Sequence, residues 1–298
     1  MKFVSISLAA LLVGAMPAAQ AAAVVFSADG VNDAAIQTTV DAYRAVLGTL
    51  NPNIAGSFGT GRREINWDGV PDALSAPNNL PANFFNVNSP RGVVFATPGT
   101  GFQVSANSGV APIEFGNINA TYPGLFQTFS AQRLFTALGS NITDVNFFVP
   151  GSGTAAGVSG FGAVFTDVDL ANSTSLQFFE LDGSSLGTFF APARAGEGTL
   201  SFLGVQFNAS ERIGRVRITS GNAALGGAEG GGVDLVVMDD FIYAEPRAVP
   251  EPSTLLLIAG ALAAAAALRR RRQCREATAR PLFIESHEIE GLAMERFA

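Results

Sequence analysis

Apolar residues follow four patterns in turn along the chain. Residues 3–15 form an uncharged, mostly apolar stretch behind Lys2, and Ala19-Gln20-Ala21 follows it. From Asn32 to Leu47, the residues Ala35, Val40, Tyr43, Val46 and Leu47 roughly follow a helical stripe. Asn32 or Asp33 is placed to cap that helix and Gly48 to stop it. From Asn51 onward, short runs of Val, Ile, Phe and Thr are punctuated by Gly, Pro, Asn and Ser. This predicts strands over 63–67, 93–96, 102–105, 142–149, 162–167, 175–180, 187–190, 200–207, 215–219 and 235–244. Asp182-Gly183, between two phenylalanine-rich strands, is the best hairpin turn. Segment 111–138 carries aromatics without a steady period and reads as a loop-rich insertion covering the sheets.

Many short strands with regular turn signals predict a mainly β chain, an antiparallel β-sandwich with one short N-terminal helix. The 24 phenylalanines are its filling, each able to bury ~150–250 Å². Gly151-Ser152-Gly153-Thr154-Ala155-Ala156 has a dinucleotide-like look, but no helical pattern follows it, so it reads as a turn. The Gly-rich 226–232 reads as a surface loop.

The last rhythm is at the C-terminal end. Residues 255–268 are apolar all round and uncharged, Pro250-Glu251-Pro252 stands before them, and Arg269, Arg270, Arg271 and Arg272 follow. Such a helix belongs in lipid or in a core. At ~1.5 Å per residue the run is about 21 Å long, short against a ~30 Å hydrocarbon core. Snorkelling arginines and local thinning bring such a span within reach, and the basic cluster puts that end in the cytoplasm. The N-terminal stretch reads as a secretory signal peptide with an A-x-A cleavage site. The expected organisation is a signal peptide over 1–21, an exported domain over 22–248, an anchor over 249–272 and a cytoplasmic extension over 273–298.

Composition narrows the function. Residues 22–248 hold ten arginines, no lysine and nineteen carboxylates, a net charge of −9. That balance argues against a nucleic-acid partner. The single cysteine, Cys274, and the single histidine, His287, lie beyond the arginine cluster. The exported segment therefore has no Ser-His-Asp triad, no Cys-His pair and no His-ligated metal. Asp167 and Asp169, two apart in a predicted strand, are expected to share a face. Asp239 and Asp240 are expected to face opposite ways, so that one of them joins the pair. Two or three carboxylates of this kind suit a structural Ca²⁺. Asp68 and Asp72 around a turn form a weaker candidate for an irregular metal loop. Trp67, the single tryptophan, is a candidate for stacking on a sugar ring.

The C-terminal triplet, apolar helix and arginine cluster resemble the PEP-CTERM sorting signal of Gram-negative bacteria. The resemblance implies an exosortase-type membrane protease as partner, insertion in the inner membrane before processing, and delivery to the envelope or outside. It also implies an association with exopolysaccharide and biofilm. The extension 273–298 departs from that pattern, in which the chain stops soon after the arginines. A second resemblance, to secreted jelly-roll modules, rests on four stretches. They are Gly160-Phe161-Gly162-Ala163-Val164-Phe165-Thr166-Asp167-Val168-Asp169, Phe202-Leu203-Gly204-Val205, Arg215-Val216-Arg217-Ile218 and Met238-Asp239-Asp240-Phe241-Ile242-Tyr243. It implies a jelly-roll-like core over about 140–245 and a structural calcium ligated by Asp239 or Asp240. Two functions are open at this point. One is a non-catalytic surface or matrix protein. The other is a glycan-cleaving enzyme using a carboxylate pair among Glu64, Asp68, Glu114, Asp167 and Glu180, which requires two of them facing each other across a cleft.

Overall fold

A computed structural model describes residues 22–110, 112–207, 213–248 and 254–278. Strand β1 (Val24–Gly30) leads into helix α1 (Asp33–Leu47), and β2 (Arg62–Ile65), the one-turn α2 (Phe84–Val87), β3 (Val93–Ala96) and β4 (Gly101–Val104) follow. Then come β5 (Phe135–Leu138), β6 (Ile142–Phe147), the two-residue β7 (Ala156–Gly157), β8 (Gly160–Thr166), β9 (Ser175–Glu180) and β10 (Ser185–Phe190). The domain closes with β11 (Leu200–Gln206), β12 (Ile213–Thr219), β13 (Val237–Ala244) and β14 (Arg247–Ala248). Helix α3 (Thr254–Thr278) belongs to a separate compact unit.

Two antiparallel sheets make the sandwich. One has the order β1-β11-β8-β13-β5-β4, with β2 also on β13; the other has the order β10-β9-β12-β6-β3. From β5 to β13 the chain crosses between the sheets, apart from the β9-β10 hairpin and the short β7, so that β5-β13-β8-β11 faces β6-β12-β9-β10, which is jelly-roll connectivity. The N-terminal elements extend this core: β1 joins the β11 edge in register from Val24↔Gln206 to Gly30↔Leu200, and β3 and β4 widen the other ends. β7 and β14 form a short ribbon. One contiguous apolar cluster draws on both sheets. Phe147 of one sheet meets Phe161 and Tyr243 of the other at 6.1 and 5.6 Å between ring centroids.

Every residue of β8 and β13 is buried, because both faces of that sheet are covered. Helix α1 covers part of the outer face. Asn32 caps it by accepting the Ala35 N–H at 3.1 Å, and Gly48, at φ 95°, ends it. Its buried stripe is Ile36, Val40, Tyr43 and Leu47; Val40, Tyr43 and Leu47 are as expected, whereas Ile36 takes the place of Ala35 and Val46 is exposed. Tyr43 lies against glycines 160, 162 and 204, and a Cβ added at Gly162 would come within 2.9 Å of both Gly204 and the Tyr43 ring. The insertion before β5 covers a further patch: Phe115, Tyr122, Phe126 and Leu134 pack with Leu235 and Val237 in a satellite cluster. Of the segment expected as a covering loop, the described residues 112–134 cover the sheet and the last four, 135–138, form β5. β1 escaped the sequence reading.

α3 is 25 residues long and runs without a break from the apolar stretch through the arginine cluster. No helix among the described residues is long and apolar enough to cross a membrane. The expected span over 255–268 falls short of this, because its apolar part is short and a basic run follows within the same helix. Residues 1–21 and the triplet Pro250, Glu251 and Pro252 lie outside the described residues.

Candidate functional site

Three polar groups are built into the domain. The first is structural. Arg63 on β2 is fully buried and donates to both carboxylate oxygens of Glu245, from Nε at 2.8 Å and Nη2 at 2.9 Å. Its remaining donors reach the carbonyls of Ile54, Gly56 and Pro90. Glu245 also accepts from Asn51 Nδ2 and the Phe58 N–H. Both charges are therefore fully bonded, which a buried pair requires. A pocket of about 160 Å³ opens beside Glu245, against Leu47, Gly61 and Arg247. Among the described residues Glu245 is the only carboxylate lining it, and Arg63 already engages both its oxygens.

The second group sits on a bulge in β13. Met238 pairs with Phe165 and Phe241 with Ala163, so Asp239 and Asp240 together oppose the single residue between them. On the other side of β13 the partner changes there from β5 to β2. The bulge overturns the expectation that the two aspartates face opposite ways: Ser130 Oγ reaches Asp239 Oδ1 at 3.2 Å and Asp240 Oδ1 at 2.7 Å. Asp239 further accepts the N–H groups of Phe129 and Ser130, and Asp240 accepts from Arg44 Nη2 at 3.1 Å. Arg44 also clamps Glu64 through Nε and Nη2. Burial, and then the charge of Asp240, push the Asp239 carboxyl well above the carboxylate range. Burial raises Asp240 as well, against the Ser130 hydrogen bond. Asp68 lies nearby; burial and then the Asp240 charge push it up to about 6.

The third group lies at one end of the sandwich, where β8 stops and β11 and β13 start. β8 ends at Thr166, so Asp167 is not in a strand; its φ of 71° turns the fully buried side chain inward. Asp167 Oδ1 accepts the Gly198 N–H at 3.0 Å, while Oδ2 is buried with no hydrogen-bond partner. Glu229 Oε1 accepts the Leu235 N–H at 3.0 Å, and its buried Oε2 likewise has no partner. Asp167, Glu197 and Glu229 bring one carboxylate oxygen each to within 4.8 Å of one another. Asp169 is half-buried at the margin and accepts the Gly196 N–H at 2.9 Å. Burial, then the Glu229 charge, push Asp167 up to about 9, and burial raises Glu229 too.

The sequence candidates are therefore divided. Asp167 and Asp169 stand by the loop cluster, whereas Asp239 and Asp240 are bonded in the network of Ser130 and Arg44. Glu197 and Glu229 were missed; the signal was a carboxylate followed by glycine within a glycine-containing loop, Gly196-Glu197-Gly198 and Gly227-Ala228-Glu229-Gly230. Trp67 is 1% exposed. Its ring stacks on Phe135 at 4.1 Å and its Nε1 donates to the Asp239 carbonyl at 2.8 Å, which leaves no ring face for a sugar. Asp68 and Asp72 do not close a common loop site: Asp68 accepts from Asn66, and Asp72 pairs with Arg133 at 2.6 Å.

Residues 248–272 match the PEP-CTERM protein-sorting motif. Nothing among curated proteins or solved structures matches the chain. The motif marks an exported protein that is held by its C-terminal segment before an exosortase sorts it. The chain thus pairs an antiparallel β-sandwich with this sorting signal.

Proposed function

We propose that the protein is a non-catalytic component of the cell surface or extracellular matrix, delivered by a signal peptide at residues 1–21 and released or attached by exosortase processing near Pro250-Glu251-Pro252. The observation that carries this reading is the sorting motif at residues 248–272. The position of the folded unit, immediately before that motif, supports it. In the precursor, the apolar part of α3 sits in a locally thinned inner membrane and Arg269–Arg271 reach the cytoplasmic interface. The matrix partner in this reading is exopolysaccharide, an expectation that comes with the sorting system.

Replacing Pro250, Glu251 and Pro252 with alanine in a host that has the matching protease should leave an uncleaved, membrane-held precursor. Unchanged release would reject the reading. The polysaccharide partner is tested separately, by co-sedimentation of the released protein with purified matrix glycan; a protein that stays in the supernatant at every glycan concentration removes that partner.

A further inference from the structure

Three loops meet where β8 ends and β11 and β13 begin, and each sends a carboxylate to the same point: Asp167, Glu197 and Glu229. Asp167 is fully buried and Glu229 half-buried, and each has one buried oxygen without a donor. A buried acceptor without a partner carries the full cost of its lost hydration. Two carboxylates cannot satisfy each other as anions. A proton shared between them would settle that pair, but Glu197, solvent-exposed, brings a third carboxylate oxygen to the same point. A divalent cation settles all three at once.

The distances fit an oxygen-ligated ion. Oxygens at ~2.4 Å from a Ca²⁺ lie at most ~4.8 Å from each other, the limit within which these three fall. The surroundings suit calcium's loose geometry. Glu229 lies in the glycine-rich loop, where Gly226, Gly230, Gly231 and Gly232 have positive φ and open space around them for coordinating water. Asp167 is itself in the left-handed region, a conformation that aims its carboxylate at the cluster. We propose that Asp167, Glu197 and Glu229 bind one Ca²⁺, which ties together the loops entering β11 and β13 and leaving β8. The ligand set is distinct from the Asp239–Asp240 network, whose oxygens already have donors.

The test uses the full-length chain in detergent and Ca²⁺ itself. Equilibrium dialysis with radioactive calcium should show one saturable site per chain, with a Kd of roughly 10⁻⁴–10⁻³ M as for other extracellular modules. Calcium should raise the melting temperature by a few degrees over EDTA and slow proteolysis within 226–232 several-fold. The Glu197→Gln, Glu229→Gln double variant should lose at least tenfold in affinity and melt higher than the wild type in EDTA, because like charge has been removed. Glu197 is exposed, so Glu197→Gln alone keeps the fold and should still weaken binding. Asp182→Asn in the exposed hairpin should leave binding unchanged. Absence of saturable binding at about 10 mM Ca²⁺, ten times the weakest expected Kd, would overturn the site. So would calcium binding that is equal in the double variant and the wild type.

Discussion

Asp68 shows what burial does to one carboxyl. Its folded pKa is about 6, above the 3.8 of the free group. Between those values the folded state holds more protons than the unfolded one, so the contribution of Asp68 is favourable in acid and is lost as pH rises through 6. Asp68→Asn, which mimics the protonated form, should raise the melting temperature at pH 8 and change it little at pH 3, below the pKa of the free group. An equal shift at both pH values would show that the charge is not what costs stability. The pair Arg63–Glu245 makes the opposite case, a buried charge that is completely bonded. Glu245→Gln or Arg63→Met alone leaves the other charge buried and should cost about 3–5 kcal/mol in urea denaturation. Changing both together to apolar residues should cost less than the two single changes added.

At the scale of elements, the aromatic cluster around Trp67 joins β2, β5 and β13. Phe135 stacks on Trp67 and lies 6.0 Å from Phe241. Phe135→Ala should destabilise by about 3–5 kcal/mol, measured by denaturant midpoint, with Phe135→Leu well below that. The seat of α1 is the converse, a place where side chains must be missing. Tyr43 donates to the Val205 carbonyl across the glycine-lined strip of β8 and β11. Gly204→Val puts a branched carbon where Tyr43 and Phe202 leave 2.9 Å, and should cost about 1–3 kcal/mol or more. Native-like stability in that variant would mean that the helix does not rest on the strip. Alternating phenylalanine-rich runs gave the strands of the jelly roll, and a capped stripe gave α1. Strand β1 was not legible, because Val24–Gly30 sits directly after an apolar leader and has no alternation of its own to separate it.

At the scale of the whole molecule, the chain is an acidic, cysteine-free and histidine-free sandwich attached to a sorting segment. The topology that follows from the proposed function is one cytoplasmic end. A reporter fused after Ala298 should be active in the cytoplasm of cells that lack the processing protease, and activity in the periplasm would reverse the orientation. Deleting 273–298 should leave sorting intact, since those residues lie beyond the matched motif.

The sequence by itself determined the class of fold, the sorting signal and which side-chain types residues 22–248 have at their disposal. These depend on local order: period-two patterning, a triplet before an apolar run, and the absence of whole residue types. It did not determine which carboxylates meet. Asp239 and Asp240 share a side because a bulge opposite β8 breaks the alternation, and a bulge depends on pairing between distant strands. Asp167 turns inward at a left-handed residue beyond the end of its strand. Glu197 and Glu229 join it because jelly-roll connectivity brings the end of β8 and the starts of β11 and β13 together. The charges were legible one at a time; their convergence is a property of strand order, and only the tertiary structure decided it.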